Sequence, residues 1–409
     1  MRVMLVKKRY SWNKNFILLC QGQSVSSFCD AIYTIALNFY VFNETKSTTL
    51  MSLIIAITTI PRIVLGPFIG TIIDRSNRKH LIVCSDVIRG LTVLFIAAIT
   101  YNGIFDIRLV LLSVIISGIC TSFFNPTVET ILPEISYPIE LSKTMAIYQM
   151  ITTGFYISGN LIGGLLYTKL KTQDLFFING CSYLFSAVTE LFIKLQPFES
   201  ELSSSITFGD DIKNGLSFIS KSAGVMRIVL MSFFINFIFG IIRVSLISWF
   251  SEPLLGVENY GILNGVCSAG MIVGMLILSI YSIDKKYRYR CFLTSLFGFI
   301  FLIGISSRLS KYLYAIFVLF LVAFIFQFVF NNILTVTLIS KTPKFMQGKV
   351  LATRTALVLM ASPIGNIIAG KLCEFIAAEN LILISSVLAA TISFFTVIHS
   401  SVREFFDTK

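Results

Sequence analysis

The sequence predicts an all-α polytopic membrane protein, with twelve transmembrane helices arranged as two six-helix pseudo-repeats. Three observations carry this prediction. Of 409 residues, 55% are hydrophobic and only 13% charged, with 38 Phe, whereas a soluble domain carries about 25% charge. Twelve apolar runs are each long enough to cross a ~30 Å hydrocarbon core, which takes about 20 helical residues. The second half of the chain also echoes the first at a nearly constant offset. This composition excludes disordered, collagen-like, coiled-coil and disulfide-scaffold classes. The eight cysteines lie in or beside apolar runs and form no CxxC, so they read as small buried hydrophobes rather than metal or redox ligands.

The predicted spans are 15–41, 48–73, 80–101, 109–132, 143–167, 175–196, 226–250, 258–282, 290–307, 311–339, 350–373 and 379–400. Span 1 follows a basic start (Lys7, Lys8, Arg9), as a signal peptide would. Its apolar run is too long and lacks an A-x-A site, so it reads as a retained helix. Gln196 to about Gly224 is polar and predicts a linker with one amphipathic helix near Phe208–Ile219. The expected division is a six-helix bundle over 1–196, a linker over 197–225 and a second bundle over 226–409.

The charges orient these spans. The chain has 33 Lys and Arg against 21 Asp and Glu, a formal net charge of +12. Twenty-two of the basic residues fall in the N-terminus, the alternate loops on its side and the C-terminus. Seven fall on the opposite side: Lys46, Arg108, Lys169, Lys171, Arg308, Lys311 and Lys371. Arg62, Arg89, Arg243 and Arg354 lie within spans. Positive residues collect on the cytoplasmic side, so both termini are expected there. The excess is a topology signal rather than a nucleic-acid footprint.

The halves repeat in register. At an offset of 206, Gly159-Asn160-Leu161-Ile162-Gly163-Gly164 aligns with Gly365-Asn366-Ile367-Ile368-Ala369-Gly370, and Phe124-Asn125 with Phe330-Asn331. At an offset of 210, Ile73-Asp74-Arg75 aligns with Ile283-Asp284-Lys285 and Arg78 with Arg288. Two parallel six-helix repeats around a midplane site are the architecture of many secondary transporters.

Between spans 2 and 3 stands Gly70-Thr71-Ile72-Ile73-Asp74-Arg75-Ser76-Asn77-Arg78-Lys79. It resembles the major facilitator superfamily signature G-x-x-x-D-R-x-x-R-[RK], with Asn77 where a Gly is common. Asp74, Arg75, Arg78 and Lys79 read as a latch between the halves, or as a basic loop that only sets topology. Glu129 is placed to bond Arg75 or Arg78, and Asp284 and Arg288 are the repeat's counterparts. Span 5 resembles the superfamily's antiporter motif ending G-P-x-x-G-G, with Asn160 in place of the Pro. Gly154, Gly159, Gly163, Gly164, Gly365 and Gly370 are expected to pack helices closely, those of span 5 also closing the cytoplasmic side. Longer stretches extend the resemblance over about residues 12–400: Ser85-Asp86-Val87-Ile88-Arg89, Phe123-Phe124-Asn125-Pro126, Tyr260-Gly261 and Gln347-Gly348-Lys349-Val350. They look like the drug-efflux branch of macrolide, enterobactin and lysophospholipid exporters. The resemblance implies the twelve-helix facilitator fold and a proton-coupled exporter. Span 4 departs from other drug antiporters in lacking a mid-helix Arg.

Charges inside a membrane are costly and mark function. Asp30 lies about 14 residues into span 1, ~21 Å deep at ~1.5 Å per residue, on a stripe with Gln23, Ser27 and Thr34 and near Asn38. Arg62 of span 2 is expected at matching depth. The pair reads either as a coupling carboxylate with a tuning cation or as a static tie between two helices. Arg243, Gln327 and Asn331 are the polar points of the second half, and Arg243 either counters a carboxylate or snorkels outward. Asp86 with Arg89, and Glu190 with Lys194, read as local pairs.

No P-loop, H-E-x-x-H or Cys/His cluster is present, so ATP hydrolysis, metal and enzyme readings have no support; no cofactor is expected. The expectation is a monomeric secondary transporter of a bacterial plasma membrane that exports amphipathic compounds of macrolide or multidrug type by proton antiport. Its partners would be the small-molecule substrate, protons and the lipid bilayer. A lysophospholipid flippase, a siderophore exporter and a non-transporting receptor or assembly factor are the alternatives.

Overall fold

The computed structural model describes residues 13–135, 141–195, 216–281, 283–343 and 346–406, with 67, 70, 71, 74, 141–143, 146, 285, 348, 349 and 352 in backbone only. The first group of helices is α1 (Lys14–Thr45), α2 (Thr48–Ile57), α3 (Ile60–Arg75), α4 (Arg78–Tyr101), α5 (Ile107–Ile135), α6 (Leu141–Lys169) and α7 (Thr172–Leu191). A helical stretch at 216–221, α8, leads to the second group. That group is α9 (Ala223–Phe250), α10 (Val257–Ile280), α11 (Arg288–Ser306), α12 (Leu313–Lys341), α13 (Gln347–Leu372), α14 (Ala378–Val397) and the short α15 (Ser400–Phe406). Residues 216–219 of the amphipathic helix expected near Phe208–Ile219 belong to α8; the rest of it lies outside the described residues. Every regular element among the described residues is helical. In a medium that offers backbone groups no water, that is one of two solutions.

The boundaries follow from local chemistry. Side chains of Asn13, Ser47, Asn77 and Ser222 accept a backbone N–H from the first turn of α1, α2, α4 and α9, satisfying donors that a helix start leaves free. Pro61 divides predicted span 2 into α2 and α3. It sits in the first turn of α3, where the missing N–H is harmless. Gly256 precedes α10 at φ 78°, in the left-handed region that only glycine enters without strain.

Among the described residues ten helical spans, α2 and the start of α3 counted as one, are long and apolar enough to cross a membrane; α6 and α7, of 29 and 20 residues, complete the twelve. The polar residues of α7 explain its weaker signal. Asn179, Ser182, Ser186 and Glu190 are all buried, so they face α1 and α4 rather than lipid. The outward surface is apolar, with Leu91, Phe95, Phe301 and Phe395 each more than half exposed.

The two six-helix groups meet at one end. The face where α1 begins also carries α15 and is termed the terminal face; the opposite one is the far face. Near the far face, a Cβ added at Gly164 of α6 would lie 2.5 Å from the Val257 carbonyl oxygen of α10. Its repeat mate Gly370 of α13 lies against Ser52 and Thr49 of α2. Around it Thr48 Oγ1 donates to the Gly370 carbonyl (2.6 Å) and Thr49 Oγ1 to Glu374 Oε1 (2.7 Å). Toward the terminal face the groups part. A Cβ at Gly66 of α3 or Gly154 of α6 would meet nothing within 4 Å. Among the described residues the contacts between the halves therefore gather at the far face.

This corrects the expected role of the glycines. Gly154 packs on no neighbour. Gly159 and Gly163 fit against Phe28, Ala31 and Ile32 of α1, inside their own half, and Gly365 fits against Phe237 and Gly240 of α9. Gly164 and Gly370 close the far face, not the terminal face.

Valine at Gly164 should overpack this contact by roughly 1–3 kcal/mol and lower the far-closed population about fivefold or more. Cysteines at Thr49 and Glu374 provide the readout. Their crosslinking in membranes should fall severalfold in Gly164→Val, and an unchanged yield would remove Gly164 from the closure.

Candidate functional site: a cavity wall backed by buried charges

Asp30, Thr34 and Asn38 of α1 line a cavity of about 230 Å³ with Thr58, Ser117, Thr121, Tyr156, Tyr183 and Arg243. Spacings of four residues place the three α1 side chains on one helical face. Thr34 Oγ1 donates to the Asp30 carbonyl at 2.8 Å, so its hydroxyl is satisfied within the helix. Tyr33, Tyr156 and Tyr183 supply aromatic wall. Arg243 comes from the other half, so both halves contribute.

Behind Asp30 lies a buried charge cluster. The Tyr183 hydroxyl donates to Asp30 Oδ1. The Arg89 guanidinium lies 4.4 Å from the Tyr183 ring centre and 4.6 Å from that of Phe124. Arg89 Nη2 forms an ion pair with Asp86 Oδ1, and Nη1 donates to Thr121 Oγ1 at 3.4 Å. On the same helix as Tyr183, Glu190 Oε1 accepts from Ser186 Oγ and from Gln23 Nε2, each at 3.2 Å. Asp86 and Glu190 are fully buried and Arg89 is 4% exposed. Asp86 Oδ2, Arg89 Nε and Glu190 Oε2 have no hydrogen-bond partner. One guanidinium thus serves a cluster with three carboxylates, Asp30, Asp86 and Glu190.

Several expectations change. Arg62 is exposed and lies off this cavity wall; the side chain that holds Asp30 is Tyr183, with Arg89 stacked on its ring. Two adjacent spans at equal depth do not fix which faces meet. Gln23 points to α7 instead of the cavity, and Ser27 is half-buried and off the cavity wall. Gln327 and Asn331 line a second cavity, inside the C-terminal half, with Arg354. Glu190 does not pair with Lys194, because α7 ends at Leu191 and the i,i+4 geometry is lost. Asp86 and Arg89 do form the local pair expected of them.

The loop signature sits at the terminal face. Arg75 ends α3 and is exposed, Lys79 is half-buried, and Arg78 opens α4 in an ion pair with Glu134 of α5. The expected partner Glu129 is exposed and Glu134, five residues on, takes its place. Asp284 is exposed and Arg288 half-buried at the start of α11. Among the described residues no ion pair joins the two halves. The side chain of Asp74 lies outside the described residues.

Sequence reasoning missed Tyr183 and Arg354. The first was legible as part of a stripe, Asn179, Tyr183, Ser186 and Glu190, at helical spacing on span 6. Arg354 had no such company.

Two six-helix groups around a cavity backed by buried charge define a membrane transporter, and comparison with known proteins gives its family. Residues 19–366 match the Major Facilitator Superfamily, and the chain belongs to it: it is a transporter, not an enzyme. It is 21% identical over 406 residues to macrolide efflux protein A of Streptococcus pyogenes, covering 98% of this chain and 99% of that protein. Over 177 residues it is 31% identical to the putative bacilysin exporter BacE of Bacillus subtilis, covering 42% and 43%. Its fold resembles the nucleoside transporter NupG (TM-score 0.74, 15% identity, 97% and 100% covered). It also resembles a bacterial homologue of the iron transporter ferroportin in an inward-facing state (TM-score 0.68, 12% identity, 94% and 98% covered).

Removing one member of a buried ion pair typically costs about 3–5 kcal/mol, while replacing both with apolar groups is often neutral. Arg89→Leu should therefore lower the unfolding temperature in detergent markedly, and Arg89→Leu with Asp86→Leu should recover part of the loss, since Asp30 and Glu190 remain. Equal losses in the single and double variants would show that the pair is not a unit.

Proposed function

We propose that this chain is a proton-coupled exporter of amphipathic organic compounds. It works by alternating access in a bacterial plasma membrane, with both termini cytoplasmic. The moving bodies are the bundles 1–196 and 226–409, joined by the linker 197–225. The observation that carries the reading is Asp30, whose carboxylate stands on a cavity wall and is tied through Tyr183 to a buried cation and two further acids. A coupling group needs contact with the cavity and a partner that responds to its charge. When Asp30 is ionised, Tyr183 donates to it and Arg89 balances it. When Asp30 is protonated, Arg89 is left to Asp86 and Glu190, and the charge balance of the cluster changes.

The direction follows from the same groups. With the terminal face open to the cytoplasm, substrate enters and the Asp30 proton leaves. After the far face opens, a proton returns to Asp30 and substrate departs. The positive residues of the terminal face support this orientation. Tyr33, Tyr156 and Tyr183 in one cavity and Phe239, Phe299 and Phe330 in the other suit apolar guests. A macrolide is the first candidate, given the full-length similarity to a macrolide efflux protein. Arg75, Arg78 and Lys79, with Asp74, act as the latch when the terminal face closes.

In inverted membrane vesicles, Asp30→Asn should abolish uphill transport driven by a pH gradient while downhill exchange of substrate persists. If the variant still concentrates substrate with normal pH dependence, Asp30 is a structural residue. Asp74→Asn should slow cycling several-fold without loss of membrane-inserted protein, and transport at the wild-type rate would set the latch aside.

A further inference from the structure

The cavity inside the C-terminal half holds a cation with no counter-charge among the described residues. Arg354 of α13 lines a space of about 230 Å³ with Ser232, Asn236, Gln327, Asn331 and three phenylalanines. Arg354 Nη1 donates to Thr335 Oγ1 at 3.2 Å and Nε has no partner. In the same cavity lining, Gln327 Oε1 is buried and has no hydrogen-bond partner among the described residues. No carboxylate lines this space, and none among the described residues lies within ion-pair distance of Arg354.

The repeat makes this asymmetry specific. At the offset of 210, Asp86 corresponds to Leu296 and Arg89 to Phe299; at 206, Tyr148 corresponds to Arg354. The half that holds the acids has a neutral phenol where the half without them has a guanidinium. A half-buried cation in an apolar span is costly unless an anion completes it. Among the described residues, none does so.

The geometry points to an anion subsite: Arg354 receives a carboxylate or phosphate group carried by an amphipathic substrate, whose apolar body rests on Phe239, Phe299 and Phe330. This rests on the transporter reading and narrows its amphipathic substrates to anionic or zwitterionic ones, which it ranks above a macrolide. The guanidinium would offer Nη and Nε as a two-pronged donor. Position along α9 links the subsite to the Asp30 cavity. Asn236 lines one and Arg243 the other, seven residues apart, or about 10 Å along one face of the helix. A guest with both charges would span the two.

Purified protein in nanodiscs tests this without transport. The probes are 11-dansylaminoundecanoate and a quaternary ammonium analogue of equal length, followed by dansyl fluorescence. Wild type should bind the carboxylate probe at least tenfold more tightly than Arg354→Gln. Arg354→Lys should retain part of that affinity, and binding of the cationic probe should not weaken. Gln327→Glu is nearly isosteric and puts a carboxylate into the cavity; it should weaken the carboxylate probe and strengthen the cationic one. Equal affinity of wild type, Arg354→Gln and Gln327→Glu for the carboxylate probe would overturn the subsite. Displacement of that probe by inorganic phosphate at equal concentration would overturn its amphipathic character. A variant set that behaves as expected in binding, while pH-driven transport is absent, would sink the proton-coupled reading and leave the subsite standing.

Discussion

The arrangement depends on backbone approaching backbone at four glycines related by the repeat. Between helices in lipid, burial of apolar surface gives no net drive, so close packing and hydrogen bonds must hold them. Gly159 meets the Phe28 carbonyl of α1 and Gly365 meets the Phe237 carbonyl of α9, each within its own half. One turn and a half along, Gly164 meets α10 and Gly370 meets α2, each across the halves. One six-residue motif, used twice, builds both the bundles and the closure between them. The same face also carries apolar contact across the halves, with the Phe39 ring 5.5 Å from that of Tyr260 and Ile35, Met51 and Ile55 in one cluster with residues of the second half.

The charges are divided unequally over this symmetric frame. The N-terminal half buries Asp86, Arg89 and Glu190 behind Asp30, whereas the C-terminal half packs Leu296 and Phe299 at two equivalent places and leaves Arg354 in a cavity. A symmetric protein with identical halves would have no reason to separate proton and substrate. Here the acids and the lone cation of the second cavity occupy different bundles, and α9 touches both cavities. In the proposed cycle, substrate charge and proton charge then sit in different bundles.

Much of the fold is legible in the chain itself. The twelve helices lie within a few residues of the apolar runs, because 18 or more apolar residues in lipid have only a helix available to them. Span 2 reads as continuous, and Pro61 divides it, since a proline starts a helical turn more easily than it continues one. The site is legible only in outline. Asp30 stands out by charge alone. Its partner does not, because Arg62 and Arg89 are equally plausible at the level of depth, and only helix rotation distinguishes them. Glu190 and Lys194 are spaced for a pair, but the helix stops at Leu191.

Composition and spacing along one chain set the class, the span positions, the internal repeat and the residues whose charge makes them costly in a membrane. Which face of each helix turns toward which neighbour was decided only by tertiary packing. That choice placed Tyr183 on Asp30, Gln23 on Glu190, Gly164 at the far face and Arg354 in one cavity wall with Gln327. The physical reason is that in lipid nearly every face of an apolar helix is tolerated outward. Rotation is therefore set by small-residue fits and buried polar bonds contributed by helices far apart in the chain.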